Sequence, residues 1–220
     1  MKQPRHAENS IIYSADDHSG PNDFLIDLGM ASSIRAWETP VYNVNMDLED
    51  SKFFNVYPGE HYRLIKSIVA LLEPKLVVEV GTYTGMGTLA LMQGNNAPVH
   101  TFDIIAWDKF KTHLTPEMFE TRVTQHISDL SDPKEFEKHR NVLNAANIIF
   151  LDAPKDGQFE PKFMELLKTL DKKENRLLII DDIKVMNMVS LWFNITYPKL
   201  DLTSFGHWSG TGLVDLSNPD

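Results

Sequence analysis

The feature that most constrains this chain is an alternation of two patterns. Short, nearly unbroken apolar runs at Leu76–Val80, Val99–Asp103, Arg122–Ile127, Ile148–Leu151 and Leu177–Ile180 are separated by stretches whose apolar residues recur at helical spacing. A strand with no polar face is buried on both sides, and that happens in parallel sheets covered by helices. The intervening segments carry helix punctuation. Pro58 suits a first helical turn, Tyr62, Ile65, Ile68, Val69 and Leu72 repeat on one face, and Pro74 follows. A second helix runs through Leu89 and Met92 until Gly94-Asn95-Asn96 breaks it. Asp132-Pro133-Lys134-Glu135 reads as a capping box, and Phe163–Leu170 and Val185–Phe193 complete the helices. Two closing strands, near Leu200–Phe205 and Gly212–Leu216, have no helix between them and predict an antiparallel C-terminal edge. The fold class is therefore α/β, doubly wound around a mostly parallel sheet.

The 220 residues suit one large domain. Residues 1–50 are polar, contain Gly20-Pro21 and Pro40, and show only brief apolar patches such as Phe24-Leu25-Ile26. They read as an N-terminal extension that caps a site or docks on a partner subunit, or as a partly ordered tail, ahead of a domain over 51–220. A net charge of −10 gives nothing to gain from counterion release, so nucleic acid and anionic membrane surfaces are not expected partners. The absence of cysteine excludes disulfides, thiolate metal sites and a cysteine nucleophile. MKQPRHAENS lacks the apolar stretch of a secretory signal, and no run approaches the roughly 18 apolar residues of a membrane span. A cytoplasmic location is expected.

Ligands of such sheets bind at the carboxyl ends of the strands. The first strand ends in Glu79-Val80-Gly81-Thr82-Tyr83-Thr84-Gly85, whose glycines allow a tight turn and close approach to a ligand. Because residue 83 is tyrosine, the dinucleotide fingerprint is missing and a pyrophosphate is not the obvious ligand. Glu79 offers a carboxylate to an ammonium group. Asp103, ending the second strand, can accept from both hydroxyls of a ribose, and Asp129, after the third, is a candidate for an adenine amino group. Trp107, after the second strand, reads either as a stacking partner for adenine or as plain packing.

The stretch VVEVGTYTGMGTLAL, residues 77–91, resembles the first motif of the catechol and caffeoyl-CoA type O-methyltransferases. That motif reads Glu, Ile or Val, Gly, any residue, Tyr or Phe, Thr or Cys, Gly, Tyr or Phe, Ser, and a tyrosine where most methyltransferases carry the middle glycine is a trait of that branch. Asn55–Leu72 is similar to the segment preceding it, and the resemblance covers roughly residues 55–185. It implies a Rossmann-like, seven-stranded sheet. It also implies S-adenosylmethionine (SAM) held by Glu79, Gly81 and Asp103, with Thr82, Tyr83 and Gly85 around its methionine end and Asp152 beside it.

Two acidic clusters follow the fourth and fifth strands: Asp152-Ala153-Pro154-Lys155-Asp156 and Asp181-Asp182. In a parallel sheet both emerge at the edge of the glycine loop, where three carboxylates would repel one another without a cation. All-oxygen ligation by Asp152, Asp181 and Asp182 fits a hard divalent ion such as Mg2+. By resemblance Asp152 is a metal ligand and Lys155 the base that deprotonates an acceptor hydroxyl, if burial or metal charge lowers its pKa. Asp181-Asp182 departs from the usual Asp-Asn and is similar to the pair in macrolide and aminocoumarin sugar O-methyltransferases. The expected partner is a small-molecule hydroxyl acceptor. Tyr42, Phe53, Phe54, Trp192 and Trp208 suit a planar phenol, the Asp-Asp pair a sugar; His207-Trp208 would line that pocket. Enzymes of this kind are often homodimers. His61, His100, His113, His126 and His139 show no ligand spacing, so a histidine-based metal site is not expected. Two other readings share the sheet: a nicotinamide oxidoreductase, which leaves the acidic clusters without a job, and a non-catalytic SAM-binding partner subunit.

Overall fold

A computed structural model describes residues 18–217. The strands are β1 (Val77–Val80), β2 (Val99–Asp103), β3 (Val123–Ile127), β4 (Ile148–Leu151), β5 (Leu177–Asp181), β6 (Lys199–Asp201) and β7 (Thr211–Asp215). They form one sheet in the order β3-β2-β1-β4-β5-β7-β6. β1 to β5 are parallel, and β7 runs antiparallel between β5 and β6. The seven-stranded sheet with an antiparallel C-terminal edge is as the sequence predicts. Every residue of β1, β4 and β5 is buried, which is why these runs carry almost no polar side chains.

The helices are α1 (Asp23–Ala36), α2 (Tyr62–Leu72), α3 (Met86–Met92), α4 (Pro116–Thr121), α5 (Pro133–Lys138), α6 (Arg140–Ala145), α7 (Phe159–Leu167) and α8 (Met188–Asn194). They cover two apolar layers. One joins Leu25, Leu28, Leu64, Ile68, Leu89, Phe150 and Ile179, from α1, α2, α3 and one face of the sheet. The other joins Phe136, Leu143, Ile149, Phe163, Ile180 and Trp192, from α5 to α8 and the opposite face. No helix among the described residues is long and apolar enough to cross a membrane.

Helix α1 lies inside the stretch read as an extension, and its periodicity is concealed. Leu25, Leu28, Gly29, Ser32, Ser33 and Ala36 are buried, while Ile26, Met30, Ile34 and Trp37 are exposed, so apolar residues occupy both faces. Its start was nonetheless marked: the Asn22 side chain accepts from Leu25 N–H at 3.0 Å and donates to Asp215 of β7 at 2.7 Å. The Asp132 box closes on one side only. Asp132 caps Lys134 and Glu135, but Glu135 turns to Ser128 and Lys138, and Asp132 N–H donates to the Asp129 carbonyl. Helix α7 begins at Phe159 and α8 at Met188, each several residues from its expected start, and α4 carried no expectation.

Because Leu25 is fully buried in the first apolar layer and Ile34 is 71% exposed on the same helix, Leu25→Ala is expected to cost about 3 kcal/mol of unfolding free energy. Ile34→Ala is expected to stay within about 0.5 kcal/mol of the parent. Urea denaturation of the two variants reads the difference; equal small losses would mean that α1 does not share the core.

Candidate active site

The register fixes where the chemistry gathers. Val80, Leu151 and Ile180 are neighbours across β1, β4 and β5, and Val80 is level with Phe102. The next residues, Gly81, Asp103, Asp152 and Asp181, therefore share one edge. Side chains alternate along a strand, so Glu79, Asp152 and Asp181 fall on the face that carries Val77, Phe150 and Ile179, the face covered by α2 and α3.

At Gly81 the backbone has φ +102°, and an added Cβ would collide with the Asp152 carbonyl; only glycine lets β1 and β4 close here. Glu79 is fully buried. Thr88 of α3 donates to its Oε2, but Oε1 has no hydrogen-bond partner. Burial pushes the carboxyl up to about 8; the Thr101 and Thr88 hydroxyls oppose this, and the charges of Asp152 and Asp103 add to it. A buried acceptor without a partner is expensive, and a bound ammonium would repay it.

The 82–85 loop folds against Asp103. Asp103 Oδ2 accepts from Thr82 N–H at 2.9 Å and Tyr83 N–H at 3.0 Å, and Oδ1 from Ile105 N–H at 3.0 Å. A carboxylate has about four acceptor sites. With three committed to backbone amides, Asp103 serves both ribose hydroxyls only if a loop amide gives way, a demand the sequence did not reveal. Tyr83 sits at φ +42°, its ring exposed and edge-on to Phe110 at 5.0 Å.

The acidic clusters meet as expected: one oxygen from each of Asp152, Asp181 and Asp182 lies within 4.8 Å of the others. Their repulsion is met from within the chain. The Lys155 ammonium bonds Asp152, stands 2.9 Å from Asp182 and 3.8 Å from Asp181 Oδ2. Burial alone would lower its pKa, but Asp152 and Asp181 outweigh it and hold it well above the ordinary lysine range. In this geometry Lys155 is a cation rather than a base. Its loop is fixed by Lys155 N–H donating to the buried Glu160 of α7 at 2.6 Å. Lys155 and Asp182 adopt left-handed backbone, φ +58° and +62°. Such residues cost about 1–3 kcal/mol each and persist where the surroundings over-determine them.

Two histidines join the cluster: His61, to which spacing gave no ligand role, and His207, expected to line the acceptor pocket. His61 Nδ1 and His207 Nδ1 each lie 3.2 Å from Asp181 Oδ1. His207 Nε2 is 3.2 Å from Glu60. Burial would lower the His207 pKa, but hydrogen bonds donated to Asp181 and Asp182 push it up to about 10. Burial would likewise raise Asp181, and His61, His207 and Lys155 hold it well below the carboxylate range.

Other candidates stand apart. Asp129 is exposed and accepts from Ser131 N–H at 2.9 Å. Trp107 stacks on Phe119 at 4.4 Å. Phe54 and Trp192, expected at an acceptor pocket, are core residues: Phe54 is edge-on to His113, and Trp192 packs over Gly212 in the second layer. Trp208, Tyr42 and Phe53 remain exposed.

No protein-family model matches the chain, and no curated protein matches it. Among solved structures it is similar to the S-adenosylhomocysteine-bound methyltransferase PaMTH1 of Podospora anserina, at 16% identity over 90% of both chains with a TM-score of 0.51. It is similar to a methyltransferase of Geobacter sulfurreducens, at 15% identity over 84% of this chain and 89% of that one, TM-score 0.55. A protein of Staphylococcus aureus proposed to be a caffeoyl-CoA O-methyltransferase matches at 17% identity over 87% of this chain and 97% of that one, TM-score 0.52. At such identities the likeness establishes the fold, which is the Rossmann-like fold of these methyltransferases.

Two outcomes follow from the charges. The Glu79 carboxyl, near 4.5 when unperturbed and about 8 in the fold, keeps a proton that the unfolded chain releases between those values. The resulting stability is complete below about pH 4.5 and is lost as pH rises through about 8. Glu79→Gln is expected to remove a few kcal/mol of that fall, read from urea melts across the range; an unchanged slope would show Glu79 already ionised. Lys155→Met leaves three carboxylates facing one another and is expected to cost about 3 kcal/mol in chelator-treated protein. A thermal melt as stable as the parent would mean that Lys155 does not hold the cluster together.

Proposed function

We propose that the chain transfers the methyl group of SAM to a hydroxyl oxygen of a small molecule, assisted by a divalent ion. The observation that carries this reading is Glu79, a fully buried carboxyl whose Oε1 has no hydrogen-bond partner, two residues before the Gly81 turn and on the sheet face that also carries Asp152 and Asp181. The fold shared with methyltransferases, one of them bound to S-adenosylhomocysteine, supports it.

When bound, SAM supplies a methyl carbon on a positively charged sulfur, and a hard ion such as Mg2+ supplies charge that favours the ionised form of a hydroxyl. Glu79 would accept from the ammonium of the methionine end, and Gly81 leaves room for the Thr82–Gly85 loop to enclose it. Asp103 would turn towards the ribose, and Asp129, at the end of β3, towards the adenine amino group. Asp152, Asp181 and Asp182 fit a hard ion by donor type, but in this geometry they already hold Lys155. Lys155 can take a proton from an acceptor hydroxyl only as a neutral amine, so it would first have to leave Asp152 and Asp182 and give up a proton to solvent, a change that a divalent ion held by the three carboxylates would favour. The same lysine would thus serve as counter-cation in the resting site and as base in the loaded one. Trp208, largely exposed and edge-on to His207, would line the acceptor side.

Calorimetric titration with S-adenosylhomocysteine, with and without Mg2+, tests the reading. Micromolar binding is expected, lost in Glu79→Ala. Below about pH 8 it should release a proton, seen as a dependence on buffer ionisation enthalpy, because an ammonium beside Glu79 lowers its pKa. Mg2+ is expected to bind the parent, to be lost in Asp181→Ala, and to restore the melting temperature of Lys155→Met. Failure to bind S-adenosylhomocysteine under any metal condition would overturn the methyltransferase reading, and NADH binding would then favour an oxidoreductase.

A further inference from the structure

Asp181 has two sides. Its Oδ2 faces Lys155, while its Oδ1 faces two imidazoles. His61 immediately precedes α2, and His207 lies in the connection between β6 and β7. The three donor atoms, His61 Nδ1, His207 Nδ1 and Asp181 Oδ1, lie within 4.8 Å of one another, and each nitrogen is 3.2 Å from the oxygen. A tetrahedral ion with bonds of about 2.0–2.1 Å to nitrogen and oxygen sets its ligands about 3.3 Å apart. The imidazole–carboxylate spacing is that of a tetrahedron edge.

The ligands are held from behind. His61 and Asp181 are buried, at 1% and 4% exposure. Their segments are clamped: Gly59 N–H donates to the Gly206 carbonyl at 3.2 Å, Trp208 N–H to the Gly59 carbonyl at 3.1 Å, and His207 N–H to Thr211 Oγ1 at 2.9 Å. Thr211 is itself paired with Asp181 across β5 and β7. Glu60 Oε2 lies 3.2 Å from His207 Nε2. A carboxylate on the far nitrogen of an imidazole is the usual outer support of a metal-bound histidine once the ring has lost its second proton; without an ion, His207 Nδ1 bonds Asp181 and, at 2.7 Å, Ser209 Oγ. His61 Nε2 is buried without a partner, so Nδ1 is the nitrogen through which this ring meets polar groups.

We propose that His61, Asp181 and His207 bind a borderline divalent transition ion of the Zn2+ class, with Glu60 as the outer partner of His207. Two imidazoles and one carboxylate select Zn2+ or Co2+ over Mg2+, which takes oxygen ligands. Three protein ligands leave a fourth position for water or a substrate oxygen. The site does not require Lys155 to leave its carboxylates, and it stands whether or not the chain binds SAM.

Chelator-treated full-length protein titrated with Co2+ tests this. One equivalent is expected to give the intense visible absorption of a four-coordinate ion, displaced by Zn2+ and not by excess Mg2+. His61→Gln and His207→Gln should each weaken binding at least about tenfold, Glu60→Gln about tenfold, and Asp152→Asn should leave it in place. Circular dichroism checks that each variant is folded. X-ray absorption on the Zn2+-loaded parent needs no variant, and two imidazoles in the first shell are expected. Absence of the absorption in folded parent protein, a shell of oxygens alone, or loss of binding in Asp152→Asn with retention in the histidine variants would each overturn the proposal. S-adenosylhomocysteine binding is measured separately. Co2+ binding without it upholds the metal site and removes the methyltransferase reading, and the converse does the opposite.

Discussion

Asp181 ends β5 with its carboxylate almost wholly withdrawn from water, and a buried charge costs several kcal/mol unless cations and donors meet it. Much of the local architecture answers that demand. The start of α2 brings His61, the β6–β7 connection brings His207, and the loop after β4 brings Lys155. Each arrives from a different part of the chain, so the charge ties together segments that apolar packing alone would leave free to slide. The left-handed backbone at Lys155 and Asp182 is the strain accepted to aim those groups.

The cofactor end and the acidic end are linked through the sheet rather than through side-chain contacts. Glu79 lies on the same face of the sheet as Asp152 and Asp181 but two residues deeper, level with Phe150 and Ile179, and the close approach of Gly81 to the Asp152 carbonyl joins the ends of β1 and β4. Two groups of opposite behaviour result: a carboxyl that burial keeps protonated at Glu79, and a carboxylate that neighbouring cations keep ionised at Asp181. Pairs of acids pushed apart in this way are what proton-handling sites are made of.

The sheet was legible because strands buried on both faces cannot hide: Ile148–Leu151 and Leu177–Ile180 have no polar residue to disguise them. Glu79, Asp103, Asp152 and Asp181 were legible for the same reason, since an acid at the end of such a run is conspicuous and parallel strands deliver their ends to one edge. Helix α1 was hidden because Ile26, Met30 and Ile34 put apolar residues on its outer face while Gly29, Ser32 and Ser33 pack inward, which blurs any period. The histidines were hidden because ligand spacing is a local criterion, whereas His61 and His207, far apart in sequence, meet through the backbone contacts of Gly59 with Gly206 and Trp208. Three carboxylates after β4 and β5 call for a cation, and Lys155 supplies one; which way a loop lysine turns depends on contacts such as Glu160 that sequence order does not encode.

The place of β7 bears on how the protein is made. A ribosome delivers residues in order, at roughly 5–20 per second, so β5 is complete while the strand that pairs with it is still to come. During that interval β5 presents an unpaired edge, the kind of surface on which nascent chains stick to one another. Asp181 has by then met neither His207 nor Thr211, and its charge stays in water. The arrival of residues 207–215 closes the edge and buries the carboxylate in the same event, because Thr211 and His207 belong to the segment that completes the sheet. Burial of the charge at Asp181 is thus deferred until the groups that neutralise it have been synthesised.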